Sequence, residues 1–216
     1  MNQTNVSSSA AAVRPPAASA LASARVKGAH VRAFLIWYTA QGGQERSARL
    51  LEHVAPEHRP LFDAACPDLG VLDATWYPAT AIHGILDGVL NGLTMAEEEA
   101  LARQAATVMM QTTLRGVYRW LFEKMMTPER YMRNVQVLFS RYHDTGVITK
   151  IEVTPNTHMT VVRDWAGHHR YICELLFQAS IVTYEAMGCR EVVGNRLKCV
   201  SAGASECAYT ITWKDR

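Results

Sequence analysis

The sequence lacks a charge excess, a long apolar run and any nucleotide or nucleophile signature. Its 22 basic and 20 acidic residues leave a formal net charge of +2, which argues against nucleic acid as a partner. No apolar stretch reaches the roughly 18 residues of a membrane span, so none is expected. Gly42-Gly43 follows an apolar run, but the spacing fits neither a phosphate loop nor a dinucleotide fingerprint. His143-Asp144 looks like half a triad, yet no Gly-x-Ser-x-Gly elbow accompanies it. Five cysteines, odd in number and unevenly spread, do not make the disulfide framework of a small secreted domain. Reduced thiols and a cytoplasmic location are expected.

Hydrophobic residues make up 49% of the chain and charged residues 19%, enough apolar material for a packed core. Residues 1–28 are rich in Ala and Ser, carry Pro15-Pro16 and contain no acid. They read as a disordered low-complexity tail, with neither the basic start nor the apolar core of a secretory signal. Residues 29–216 read as one domain. Val31–Tyr38 reads as a buried strand closed by Gly42-Gly43, and Trp76-Tyr77-Pro78 as a turn into a helix. Thr94 with Glu97 marks a capping box, opening a helix that runs to Leu121-Phe122 with a break at Gly116. Thr127-Pro128 restarts a helix whose inner face carries Met132, Val135, Leu138 and Phe139.

The pattern then changes to period two. Val147–Val153 and His158–Arg163 form a hairpin about Pro155-Asn156, and His168–Met187 forms a helix ended by Gly188. Arg190–Val200 and Glu206–Trp213 form a second hairpin. The expected fold class is therefore α+β: a helical N-terminal half followed by a β-β-α-β-β antiparallel sheet unit.

The cysteines supply the sharpest chemistry. Cys199 and Cys207 face each other across the last hairpin, and Cys173 on the last helix can join them. Three thiolates are one ligand short of a tetrahedral structural zinc site. Inert packed thiols and a redox disulfide remain the alternatives. His168-His169 chelate poorly as helix neighbours and read as surface residues, while Cys66 reads as a bystander. Methionines and aromatics, among them Met109, Trp120, Phe139 and Phe177, are candidates to line a cavity for a small apolar ligand; a Met-rich core is the plain alternative.

Thr127-Pro128-Glu129, Tyr142-His143-Asp144-Thr145-Gly146 and the Cys199–Tyr209 hairpin resemble the 4-vinyl-reductase-type sensor domain. That domain belongs to the superfamily of the haem-NO-binding fold and the trafficking subunits of the TRAPP complex. Trp76-Tyr77-Pro78 and the order of blocks look more narrowly like a myxobacterial paralogous family. The resemblance spans roughly residues 30–214. It implies a structural zinc held by one helix cysteine, a glutamate and two hairpin cysteines, matched here by Cys173, Cys199 and Cys207. The glutamate falls on Arg196, which cannot ligate a cation; Cys189 or Glu191 are candidate replacements. His83 is the candidate haem ligand under a haem-NO-binding reading, although the Tyr-x-Ser-x-Arg signature of that family is absent. No cofactor is certain, and zinc is the one considered. The expected function is a non-enzymatic cytoplasmic sensory or interaction module that binds a small apolar ligand and signals through a homodimer or an unknown protein partner. The alternatives are a ligand-free scaffold of the same fold and a reductase-like enzyme.

Overall fold

A computed structural model describes residues 18–114 and 117–215. The chain order is α1 (Ala18–Ser23), β1 (Arg25–Lys27), α2 (Gly28–Arg49), β2 (Trp76–Pro78), α3 (Ala79–Leu90), α4 (Met95–Thr113), α5 (Val117–Met125) and α6 (Pro128–Phe139). There follow β3 (Val147–Thr154), β4 (Thr157–Arg163), α7 (Arg170–Ala186), β5 (Arg190–Lys198) and β6 (Cys207–Lys214). The expected α+β class and the closing β-β-α-β-β unit are both present. The four-stranded sheet is antiparallel, in the order β3-β4-β6-β5, and α7 packs on one face of it.

Local chemistry explains the best-defined ends. Glu97 N donates to Thr94 Oγ1 while the Glu97 carboxylate accepts from Thr94 N at 2.7 Å, closing the capping box of α4. Thr127 caps α6, with Pro128 at the first helical position. The inner face of α6 is narrower than expected: Val135 and Phe139 are buried, whereas Leu138 is exposed. The expected break at Gly116 lies outside the described residues.

Three segments depart from the sequence reading. Val31–Tyr38 is not a strand but part of α2. Its buried residues, Val31, Phe34, Leu35, Trp37 and Tyr38, follow helical rather than alternating spacing, while Ile36 faces outward. Gly42-Gly43 does not end the element; Gly43 at φ 79° kinks it. Trp76-Tyr77-Pro78 pairs with β1 as a short ribbon rather than turning, and Pro78 becomes the N-cap of α3. Finally, residues 18–28, assigned by composition to the tail, form α1, β1 and the first residue of α2, with Ala24 and Val26 in the core. The rest of the expected tail lies outside the described residues.

β1 is held from the other side by the Tyr142–Gly146 block. Lys27 N donates to Tyr142 O at 2.8 Å, and Arg25 N to Asp144 Oδ1 at 2.7 Å. Asp144 therefore anchors a backbone rather than a catalytic histidine. Gly146, at φ 100°, lies so close to Trp165 and Phe139 that a Cβ would meet both at 3.1 Å.

The sheet's inner face carries an unusual charge. Lys150 on β3 is 9% exposed. Its Nζ donates to Thr160 Oγ1 at 2.6 Å and lies 5.1–5.5 Å from the ring centres of Tyr131, Tyr184 and Tyr209. Burial pushes the ammonium down to about 7, against roughly 10.4 in an unfolded chain. The unfolded state thus holds more protons between those values, so stability rises with pH from about 7 to about 10.4 and the full penalty stands below about 7. Lys150→Met is expected to flatten that slope and to add roughly 1–4 kcal/mol at neutral pH. Denaturant melts across the range check this; an unchanged slope in the variant would assign it to other groups.

Candidate metal centre and cavity

α7 begins with His169 as N-cap, its Nδ1 accepting from Tyr171 N at 3.2 Å. That cap leaves His168 just outside the helix, pointing toward the β5–β6 turn, while Cys173 lies in the first turns of α7. Cys199 ends the β5 arm and Cys207 opens β6. Sγ of all three cysteines and a ring nitrogen of His168 lie within 4.8 Å of one another.

Four of the six donor–donor distances are 3.8 Å or less, and the other two are within 4.8 Å. Cys199 Sγ lies 3.8 Å from Cys173 Sγ, from Cys207 Sγ and from His168 Nε2. Cys173 Sγ lies 3.3 Å from Cys207 Sγ. A zinc with Zn–S near 2.3 Å and Zn–N near 2.0–2.1 Å sets donors about 3.8 Å apart for S–S edges and about 3.6 Å for S–N edges. The donors therefore already stand at coordination spacing, too far apart for disulfides. Cys173 and Cys207 are buried and Cys199 is half-buried.

The electrostatics follow from that crowding. Hydrogen bonds from Cys173 and Cys207 hold the Cys199 thiol far below its ordinary range, and the same contacts push Cys173 far above its own. Burial lowers His168, but its bonds to Cys199 and Cys207 outweigh burial and raise it to about 9.

Arg196 stands beside the cluster rather than in it. It donates to Cys173 Sγ at 3.2 Å and to Glu174 Oε2 at 2.6 Å, with its guanidinium over Phe177. The fourth group within reach of the three sulfurs is His168, not Cys189 or Glu191. Glu191 pairs with Lys214 at 2.7 Å, and Cys189 lines a groove with Pro128 and Trp213. Sequence reasoning passed over His168 because it read the histidine pair as helical; the cap at His169 turns the two rings apart. His169 instead reaches Asp87 at 3.2 Å, and His83 is occupied by Gly167 O at 3.2 Å.

A cavity near the core lies between α2 and α4. It measures about 610 Å³ and is walled by Ala33, Ile36 and Trp37 on α2 and by Val108 and Met109 on α4, with His30 and Tyr142 at one end. Burial holds His30 near 4, so its ring is neutral. Of the four sequence candidates for a cavity lining, Met109 stands on this wall. Trp120 is 58% exposed, Phe139 packs on His143 and Trp165, and Phe177 sits under Arg196 against Tyr209. The structure does not bring those four together.

No protein-family model matches the chain, and no curated protein matches it in sequence. Solved structures do match. The H-NOX protein from K. algicida in its unliganded Fe(II) form superposes with a TM-score of 0.62 at 13% identity, over 88% of this chain and 97% of that one. The S. oneidensis H-NOX protein in its Fe(II)NO state gives 0.62 at 15% identity, over 88% and 99%. A T. tengcongensis H-NOX mutant gives 0.60 at 10% identity, over 88% and 98%. The fold is that of an H-NOX domain. Identities this low establish the fold and nothing finer.

The residues present do not fit a haem. His30 is a candidate axial ligand on the cavity wall, but among the described residues lining the cavity the propionates meet no free cation. Arg32, the cation on the described wall, is held by Asp68 at 2.7 Å and Asp73 at 3.4 Å, and Asp73 itself lines the cavity. The missing Tyr-x-Ser-x-Arg signature agrees with this. Protein expressed with excess haem is expected to show no stoichiometric Soret band; such a band, lost in His30→Ala, would overturn the assignment.

Proposed function

We propose that this chain is a non-enzymatic sensory or interaction module whose closing β-β-α-β-β unit is fastened by a structural zinc on His168, Cys173, Cys199 and Cys207. The observation that carries this reading is the completeness of the donor set. Four protein donors at coordination spacing leave no open position for substrate or water, which is the mark of a structural rather than a catalytic zinc. The metal would join the start of α7 to both arms of the last hairpin, so its binding energy would become folding energy. The thiol and imidazole donors suit zinc in kind as well as in geometry.

The ligand in this reading is a small, mostly apolar molecule in the α2–α4 cavity, with His30 and Tyr142 as its polar end. The solved H-NOX proteins, one in an Fe(II)NO state and one studied for haem distortion, bear on this by analogy of fold. The lining here supports a different, haem-free occupant. The 4-vinyl-reductase-type and myxobacterial resemblances point the same way, and with them a cytoplasmic module whose output passes through a homodimer or a protein partner.

A ligand-free scaffold is the second reading. It is favoured by the exposed apolar residues Trp120, Met125 and Val137 on α5 and α6, which suit a protein contact.

Native mass spectrometry of the full chain, purified without chelator, tests the proposal. The expected result is one zinc per chain together with a bound small molecule or acyl chain, the organic mass being lost in Ala33→Phe while zinc stays. A zinc-bound but ligand-free dimer would favour the scaffold. Cys207→Ser, or chelation of the parent protein, is expected to lower the melting temperature by about 10 °C. An unchanged melt would mean that the thiols are merely packed.

A further inference from the structure

α7 covers one face of the four-stranded sheet and leaves the other open. Register places Lys150, Thr160, Tyr209 and Arg196 in one row across β3, β4, β6 and β5. Tyr209 and Arg196 both meet the Phe177 ring of α7, so this row faces inward. Side chains alternate along each strand, and the adjacent row of Ile151, Met159, Thr210 and Asn195 therefore faces outward. Ile151 is 49% exposed, and Val193, two residues before Asn195, is 62% exposed. Val161 and Ala208, opposite each other in the next outward row, are buried yet belong to neither apolar cluster of the interior. They sit in a second apolar surface on the outside of the sheet.

Among the described residues, the outward positions between the two ends of the sheet carry no charge. The charges at the ends are paired within the chain. Glu206 joins Arg163 at 2.7 Å and Lys198 at 3.2 Å at one end, and Lys214 meets Glu191 at 2.7 Å at the other. The hydroxyls of Thr157 and Thr212 also meet each other, at 3.2 Å. Such a surface offers apolar contact and no unmet charge by which to select an acidic or a basic partner.

We infer that the outer face of the sheet is an interaction surface for a second copy of the chain, packed sheet on sheet. This rests on the homodimer in the reading above and names where its contact lies. A two-fold interface sets the same patch on both sides, and an uncharged centre meets its own copy without repulsion. Twisted sheets accommodate this by packing with their strands about 30° apart. Four strands about 4.8 Å apart, each presenting about seven residues at about 3.3 Å, give a face of roughly 20 by 23 Å. With the relief of its side chains, two such faces would bury about 1,200–1,400 Å² together, within the range of specific interfaces. The ion pairs at either end would then form the polar rim around an apolar centre.

Sedimentation velocity of the full chain, purified without chelator, tests this. The expected result is a dimer at tens of micromolar. The double variant Ile151→Lys with Val193→Lys is expected to weaken association roughly 100-fold, because it buries like charges against each other. Both side chains point to solvent in the single chain, so its far-UV circular dichroism should match the parent. Ile151→Thr with Val193→Thr keeps β-branching at both positions and is expected to weaken association about tenfold without added charge, which decides the matter if the lysine chain does not fold. Trp120→Lys, at the exposed tryptophan of α5, is expected to leave the dimer intact. A dimer that survives the sheet variants, or one lost in Trp120→Lys, would overturn this surface and leave the homodimer standing. A parent chain that stays monomeric at tens of micromolar would remove both.

Discussion

Three sulfurs and an imidazole converge at the junction of α7 with the last hairpin, and the order of the C-terminal half depends on how that convergence is balanced. Without a cation the site has to share protons among groups 3.3–3.8 Å apart, which explains the opposed shifts of Cys173 and Cys199 and the raised His168. A divalent ion removes the conflict, because every donor then turns toward positive charge. The surroundings cooperate. The His169 cap sets where α7 starts, Arg196 fixes the Cys173 sulfur, and the Val200 amide does the same for Cys207. These contacts make sense as an outer layer that orients ligands.

The solved H-NOX proteins share this fold. Sequence identity of 10–15% over most of both chains shows how little of that architecture depends on particular side chains. Here the α2–α4 cavity presents a neutral His30 and a carboxylate already bound to its arginine. Fold and function separate at this point, and the argument for function has to be made from the donors and the lining.

Much of this was legible in the sequence, and the exceptions share a cause. Both hairpins and the caps at Thr94 and Thr127 depend on local chemistry: alternation, turn residues and short polar side chains that reach their own backbone. Bringing Cys173, Cys199 and Cys207 together required only that α7 pack on the sheet. Val31–Tyr38 misled because a short apolar run has the same composition as a strand or a buried helix, and its 31, 34–35, 38 spacing counts only once it is read across the glycines. The ordering of residues 18–28 depends on backbone bonds to Tyr142 and Asp144, which no local pattern announces. His168 was missed because one cap residue decides whether a neighbouring ring points outward or into the cluster. Lys150 alternates as any surface lysine would; its burial comes from the tyrosines that α6, α7 and β6 place around it.

The coordination shell itself gives the most direct test. Zinc K-edge X-ray absorption of the purified full chain should show three sulfur scatterers at about 2.3 Å and one nitrogen at about 2.0–2.1 Å, with the nitrogen signal lost in His168→Ala. A shell containing oxygen donors, four sulfurs or no zinc at all would contradict the assignment of His168, Cys173, Cys199 and Cys207 as one closed structural site.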